Sequence, residues 1–154
     1  KTRQGESCML NEVVEKYVDL FFVQADKKKV SLSKELTPEL FRIRADESAV
    51  EQILSNLLLN ALDAAGEGGW VKVGTSCNPE TRRVYLDVKD SGPGIPEEKQ
   101  HQVFDPFYST KDTGGTGLGL TVVYGLVQEL NADIEVTNDQ GAKFSIGFPV
   151  GEDV

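Results

Sequence analysis

The chain has 154 residues, of which 39% are hydrophobic, and it carries a formal net charge of −9. This is the usual size of one domain, with enough apolar content for a core of its own. The acidic balance argues against general nucleic-acid binding and against docking on an anionic membrane, because both need clustered Lys and Arg side chains.

The first half of the chain contains two predicted helices and a strand. Apolar residues at helical spacing cover 10–28 and predict the first helix. The segment 30–33 alternates and predicts a strand. A longer apolar stripe covers 47–65, between Asp46 as its N-cap and Gly66 as its terminator, and predicts the second helix.

The second half supplies the remaining strands. The alternating segments 70–75 and 84–88 flank a turn-rich stretch and predict an antiparallel hairpin. The segment 90–116 has no sustained period, and a loop of that length is usually functional, often a lid. The last predicted elements are a helix at 118–130 and strands near 134–137 and 143–148. The layout predicts an α/β (α+β) two-layer sandwich, a mixed sheet covered on one face by about three helices.

The cysteines and the hydropathy pattern indicate a compartment. Cys8 and Cys77 share no ligand-type spacing, so they predict reduced thiols in a cytoplasmic protein. No apolar run approaches the roughly 20 residues of a membrane span. We therefore expect a cytoplasmic domain without direct membrane contact, which could be the cytosolic part of a membrane-anchored chain.

Three polar residues lie on one flank of the helix predicted at 47–65. Asn56, Asn60 and Asp63 fall within about a 60° arc beside the apolar stripe. Asn is a mediocre helix former, so two of them one turn apart require a reason. One interpretation is a polar flank that is hydrogen-bonded to nearby backbone. The other is a row of hard oxygen ligands suited to Mg²⁺, which takes few protein ligands.

A second polar segment, 90–96, directly follows a predicted strand. Asp90 at the strand end, followed by Gly92 and Gly94, would let the backbone approach a flat ligand while the carboxylate accepts from an exocyclic amine. Taken alone, however, the pattern is also that of an ordinary turn, because Asp, Ser, Gly and Pro are the usual turn residues.

A glycine-rich segment, 114–119, opens the last predicted helix. Unpaired N–H groups at a helix start bind anions, and glycines allow close approach. The segment is neither a P-loop nor a dinucleotide fingerprint, and the alternative is a flexible loop. Before it, Lys111 follows three aromatic residues and is either a solvated lysine or a lid residue that reaches phosphate oxygens. His101, the single histidine, is expected in a loop or short helix without a catalytic role.

Together, the order and spacing of these segments resemble the catalytic and ATP-binding domain of two-component sensor histidine kinases. That family belongs to the GHKL superfamily, with gyrase, Hsp90 and MutL. The resemblance covers 1–154 as a single domain, with an ATP lid at about 97–116. The amino-acid sequence of 107–111 is most similar to that of the nitrogen-regulator-like subgroup. It implies the Bergerat fold, with a mixed, mostly antiparallel five-stranded sheet. The family's four conserved boxes fall at 56–61, 90–95, 104–111 and 115–120.

The resemblance implies a Mg-ATP site with ADP as the product. It assigns Asn60 to Mg²⁺ between the phosphates and Asp90 to the adenine amino group. Gly92 and Gly94 would shape the pocket under Ile95. The remaining residues that it assigns to nucleotide binding are Asp63, Phe107, Tyr108, Ser109, Thr110, Lys111, Gly115, Thr116, Gly117, Leu118, Gly119 and Leu120.

The implied catalytic residues are Asn56, Asn60 and Lys111. Hydrolytic members of the superfamily carry a Glu one turn before the metal Asn, where it activates water. Asn56 cannot take a proton at neutral pH, so efficient hydrolysis is disfavoured. The resemblance implies instead that the γ-phosphoryl goes to a histidine on an upstream helical dimerisation domain and then to a response-regulator aspartate. The isolated domain is expected to be a monomer, and the full-length kinase a homodimer.

Two alternatives to the kinase module stay open. One is a nucleotide-binding regulatory domain that no longer transfers phosphate. The other is a hydrolytic ATPase of the gyrase or MutL type, which Asn56 disfavours.

Overall fold

The computed structural model of the chain describes residues 7–38, 41–102 and 119–151. Within these ranges the helices are α1, Leu10–Lys27; α2, Glu47–Ala65; and α3, Gly119–Glu129, with a 3₁₀ helix at Glu97–Gln102. The strands are β1, Ser31–Glu35; β2, Trp70–Asn78; β3, Arg83–Asp90; β4, Asp133–Asn138; and β5, Ala142–Pro149. None of the helices in these ranges is long and apolar enough to span a membrane.

The strands form one sheet in the order β1-β2-β3-β5-β4. β1 runs parallel to β2, and all other neighbours are antiparallel, which confirms the predicted mixed, mostly antiparallel five-stranded sheet. The predicted hairpin is confirmed as β2–β3, in which Val73 lies opposite Val88. Because β5 pairs with β3 in the antiparallel direction, the connection between β4 and β5 lies beside the C-terminal end of β3.

The alternation along β3 separates the two faces of the sheet. Val84, Leu86 and Val88 are buried, while the residues between them are only partly buried. α2 packs on β2 and β3, between α1 and α3, which confirms the predicted two-layer sandwich with its core between helices and sheet. Asp90 occupies the next position of the buried series. The strand therefore ends with a carboxylate on the core side.

The bounds of α2 are those that the sequence predicts, because both ends carry capping residues. The Asp46 carboxylate accepts a hydrogen bond from the Ser48 N–H at 3.2 Å. Gly66 follows the helix with a φ of +72°, which L side chains rarely adopt. The apolar stripe of α2 is buried from Val50 to Leu62, and each large side chain in it contributes about 1.5–3 kcal/mol on burial. Packing on the sheet therefore holds this helix more than intrinsic propensity does.

The bounds predicted for the other elements differ from the observed ones by at most three residues, and one short helix was not predicted. The strand predicted at 30–33 begins one residue later, because the Val30 N–H closes the end of α1 with a bond to the Ala25 carbonyl at 2.9 Å. The predicted loop contains the 3₁₀ helix at 97–102, where the Lys99 N–H donates to the Pro96 carbonyl at 2.8 Å. Two turns of 3₁₀ helix are too short to show a period in the sequence.

Candidate functional site

The end of β3 holds a buried carboxylate. Asp90 is 1% exposed, and its Oδ1 accepts the Gly92 N–H at 2.8 Å and the Ala142 N–H at 3.4 Å. The first donor belongs to the turn that follows the strand, and the second belongs to the start of β5. The carboxylate is therefore held from two sides at the point where β3 leaves the sheet.

The turn at 91–95 is held against β2 and against the last turn of α2. The Ser91 N–H donates to the Trp70 carbonyl at 3.1 Å, and the Trp70 N–H donates to Ser91 Oγ at 2.9 Å. A Cβ placed on Gly92 would lie 2.4 Å from the Ala64 carbonyl oxygen. Only glycine therefore fits where the turn meets the helix. The expectation that this glycine lets the backbone approach a flat ligand stays a prediction.

Asn56 and Asn60 lie one turn apart on α2, and both are half-buried. Within the described ranges, neither side chain makes a hydrogen bond with another protein group. The interpretation of a polar flank bonded to nearby backbone is therefore not supported. A half-buried carboxamide without a protein partner is instead available to a ligand or to water.

Asp63 lies on the exposed end of the same flank. Its carboxylate pairs with the Lys28 ammonium at 3.1 Å, directly after the C-terminus of α1, and both side chains are about half exposed. An ion pair of this kind contributes little to stability because water screens it. Its effect on the site is electrostatic, since a cation now stands beside the predicted acidic member of the flank.

The start of α3 reaches the other end of this flank. A Cβ placed on Gly119 would lie 3.8 Å from Asn56 Oδ1, which is ordinary contact. Leu120 is partly buried and packs against the core. Residues 56, 60 and 64 follow at intervals of four, so they share one face of α2 within about an 80° arc. Asn60 therefore lies between the contact with α3 at Asn56 and the contact with the 91–95 turn at Ala64.

Several of the predicted site residues lie outside the described residues. They are Phe107, Tyr108, Ser109, Thr110, Lys111, Gly115, Thr116, Gly117 and Leu118. Their assignments stay predictions, as does most of the lid predicted at 97–116. Within the described part of that segment, His101 belongs to the 3₁₀ helix, in agreement with the expected loop or short helix.

Two site residues were missed by the sequence. Asn138, at the end of β4, bonds to both backbone groups of Ile95, with its Oδ1 at 3.0 Å from the N–H and its Nδ2 at 2.9 Å from the carbonyl. Gly141 has a φ of +136°, and a Cβ on it would lie 1.9 Å from the Asp90 carbonyl oxygen. The residues of the segment 138–141 are typical of a hairpin turn. They do not indicate that Asn138 bonds to Ile95, which lies 43 positions earlier in the chain.

One ion pair lies at the rim of this arrangement. The Lys89 ammonium is 2.9 Å from the Asp139 carboxylate, next to Asn138. The hydrogen bond and the charge of Lys89 hold the pKa of Asp139 below its ordinary value, so that carboxylate stays ionised.

The donor set fits a hard, weakly coordinated cation. Among the described residues no group of three or more His, Cys, Asp and Glu side chains could hold a metal ion. The oxygens that Asn56 and Asn60 offer, without a partner among the described residues, are carboxamide oxygens. Mg²⁺ accepts such ligands in small number and keeps water or ligand phosphates in its other positions.

Comparison with known proteins gives a consistent set of relatives. Residues 45–152 match the family described as histidine kinase-, DNA gyrase B-, and HSP90-like ATPase. The chain is 38% identical over 148 residues to the sensor histidine kinase ZraS of Klebsiella oxytoca, covering 94% of this chain and 31% of that protein. The chain thus spans about a third of the length of such curated relatives.

Solved structures agree with the sequence relatives. The catalytic domain of histidine kinase ThkA, in a nucleotide-free form, superposes with a TM-score of 0.84 at 30% identity, covering 96% of this chain and 97% of that one. The complex of ThkA with the response regulator protein TrrA gives a TM-score of 0.81 at 29% identity, covering 94% and 41%. The nitrogen-regulator-like subgroup stays a prediction, because none of these relatives tests it.

Proposed function

The chain belongs to the family of histidine kinase-, DNA gyrase B- and HSP90-like ATPases, as the catalytic domain of a sensor histidine kinase. From this premise we propose that it binds Mg-ATP and transfers the γ-phosphoryl group to a histidine on the kinase's own dimerisation domain. Relay to an aspartate of a response regulator would follow. The proposal treats 1–154 as one catalytic and ATP-binding domain, with its acceptor histidine elsewhere in the kinase.

One observation carries the proposal: three regions that are far apart in sequence meet along one face of α2. The 91–95 turn touches Ala64, the start of α3 touches Asn56, and the unpartnered Asn60 lies between them. A ligand that engages all three must be long enough to pass from the buried Asp90 to the start of α3. A nucleoside triphosphate has this shape, with a flat base at one end and a charged chain at the other.

At the base end, we propose that Asp90 accepts the amino group of adenine. Its carboxylate is buried, which strengthens a hydrogen bond to a neutral donor because water does not compete. Gly92 and Gly94 let the turn lie close to Ala64 and Asn138. The ring is proposed to lie beside Ile95, which is 9% exposed and offers an apolar floor. The burial of an aromatic base and the directional hydrogen bond would together select adenine.

At the phosphate end, Asn60 is proposed to hold the magnesium ion with its carboxamide oxygen. When bound, the ion would neutralise charge on the phosphate oxygens. Lys111 and the amides of 115–119 are proposed to hold the same oxygens from the lid side, and Asp63 to engage the water shell of the metal. Lys28, paired with Asp63, limits the repulsion that this carboxylate would exert on phosphate.

Asn56 bears on the choice between transfer and hydrolysis. Its half-buried carboxamide stands one turn before Asn60 and cannot accept a proton at neutral pH. A water molecule at this position would therefore lack a general base. We propose that Asn56 orients the phosphates by hydrogen bonding and that the nucleophile is an imidazole, which needs no base to expose its lone pair.

The proposed partners follow from the same family. They are the kinase's helical dimerisation domain and the receiver domain of a response regulator, and the ThkA–TrrA complex supports the second. The isolated domain is proposed to be monomeric, cytosolic and without nucleic-acid or membrane partners, inside a homodimeric kinase.

The test mixes the purified domain with a separately prepared dimerisation domain of a related kinase and γ-labelled ATP. Label on histidine in the dimerisation domain is the expected result. Release of free phosphate without protein label would favour the hydrolytic alternative. ATP binding without either product would favour a regulatory domain that no longer transfers phosphate.

A further inference from the structure

Two hydrogen bonds join the Asn138 side chain to the backbone of Ile95, and we call this pair of bonds the clamp. The clamp has no role in the proposed function. Backbone pairing between β3 and β5 ends at Lys89 opposite Lys143, and the 91–95 turn then leaves that side of the sheet. At Ile95, the Asn138 carboxamide replaces strand pairing, because its oxygen accepts the N–H and its nitrogen donates to the carbonyl of the same residue. One side chain thus bonds the turn as a neighbouring strand would.

The turn also fits tightly against the β4–β5 connection. Gly94 has a φ of +80°, and a Cβ on it would lie 2.7 Å from Asn138 Oδ1. Gly141 lies against the Asp90 carbonyl, and the Ala142 N–H reaches Asp90 Oδ1. The segment 138–142 therefore holds both ends of the turn, Ile95 by a side chain and Asp90 by the backbone.

We propose that Asn138 is a positioning residue that sets the preference of the site for adenine. This rests on the proposed function, in which Asp90 recognises the adenine amino group. A hydrogen bond to that amino group depends on the direction of the carboxylate. One donor that fixes this direction, the Gly92 N–H, belongs to the turn that Asn138 holds. Loss of the clamp frees the turn, and the carboxylate then no longer separates an amino group from a carbonyl.

A residue that only stabilised the fold would give a different pattern of nucleotide affinities. If Asn138 only stabilised the fold, its loss would lower the folded fraction and weaken all nucleotides by the same factor. A positioning role instead changes the ratio of affinities for ADP and GDP, whose bases differ in the group that faces the carboxylate. That ratio is unaffected by the fraction of protein that is folded.

The chain offers a matched control in Asn78. This residue also ends a strand, and its Oδ1 accepts the N–H groups of Glu80 at 3.0 Å and Thr81 at 3.4 Å in the β2–β3 connection. Asn78→Ala removes the same carboxamide from a comparable turn at the opposite end of β3. Asn138→Asp is a second variant, since it keeps the acceptor for the Ile95 N–H and loses the donor to the Ile95 carbonyl.

The experiment measures ADP and GDP affinity by calorimetry, together with hydrogen exchange of the Ile95 amide. Asn138→Ala is expected to reduce the ADP preference about tenfold and to speed exchange at Ile95, whereas Asn78→Ala changes neither. Asn138→Asp is expected to keep Ile95 protected while losing part of the preference, and it serves if the alanine variant does not fold.

Two outcomes would overturn the proposal in different ways. An unchanged ADP to GDP ratio in both Asn138 variants, with a wild-type domain that prefers ADP, would contradict the positioning role and leave the proposed function intact. A wild-type domain without any preference for ADP would contradict the adenine assignment of Asp90 and, with it, this inference.

Discussion

The two ends of the candidate site are built in opposite ways. At the end of β3, Asp90, Ser91 and Ile95 all make hydrogen bonds to protein groups at 2.8–3.4 Å. On α2, Asn56 and Asn60 make none in the described part of the chain. The end that we propose for the base is thus complete before any ligand arrives, and the end that we propose for the phosphates offers groups that a ligand could satisfy.

The difference fits what each end is proposed to recognise. A flat neutral base is distinguished by the direction of one or two hydrogen bonds, so its partner must be held still. A triphosphate with its metal is recognised by charge. Carboxamides without a protein partner can bond to it when it is present. Leaving them unpaired is tolerable because half-buried groups still reach water, whereas a fully buried unpaired group costs about 1–3 kcal/mol.

The largest effect is expected from a substitution that disrupts the turn at the end of β3. Gly141→Ala would place a Cβ 1.9 Å from the Asp90 carbonyl oxygen at a φ of +136°, so the backbone of one strand must move. We expect a loss of about 3 kcal/mol or more in the free energy of unfolding, measured by chemical denaturation. The control is Gly125→Ala, which has open space on α3 and should raise stability by about 0.5–1 kcal/mol. Equal stabilities of the two variants would contradict the tight fit of the turn.

The next largest effect is expected on removal of the Asn60 carboxamide from α2. Asn60→Ala should abolish the Mg²⁺-dependent gain in ATP affinity, a loss of roughly 100-fold, and leave stability nearly unchanged because the side chain has no protein partner in the described ranges. Calorimetry with ATP in magnesium and in EDTA measures this gain. Gln52→Ala, which removes an exposed carboxamide from the same helix, is the control. Normal magnesium dependence in Asn60→Ala would refute the metal assignment.

A smaller effect tests recognition of the base. Asp90→Asn keeps the size of the side chain but replaces one oxygen by an NH₂ group, which faces either the Gly92 and Ala142 N–H donors or the base. ADP affinity should fall about tenfold, while inorganic triphosphate should bind as before. A competition assay with a fluorescent adenine nucleotide separates the two. Unchanged ADP affinity would remove Asp90 from the site.

The smallest expected effect concerns the reaction. Asn56→Glu introduces a carboxylate one turn before Asn60, where it could accept a proton from water. We expect release of free phosphate to rise by roughly twofold to tenfold, which is modest because water is not otherwise positioned there. A coupled phosphate assay measures the rise, with Asn56→Gln as the isosteric control. Equal rates in the two variants would show that proton acceptance at this position does not limit hydrolysis.

The sequence predicted what depends on local patterns. α2 was predicted to the residue, since Asp46, Gly66 and the apolar stripe between them act within one segment. The turn at Asp90 was recognised from its residues, but burial of its carboxylate depends on the packing of distant segments and could not be predicted from them. The clamp of Asn138 on Ile95 joins two turns 43 positions apart through one side chain, which leaves no periodic trace. The two unpartnered Asn side chains became informative only when the helix was seen beside the 91–95 turn and α3.

The contrast between the two ends can be tested most directly by nuclear magnetic resonance of side-chain amides. The NH₂ signals of Asn60 and Asn138 would be followed while ADP and then Mg²⁺ are added to the domain. The Asn60 signals should shift when Mg²⁺ joins the nucleotide, and the Asn138 signals should stay in place because both of its bonds already exist. Asn138 signals that move as far as those of Asn60, or Asn60 signals that do not move, would contradict a base end formed in advance and a phosphate end completed by its ligand.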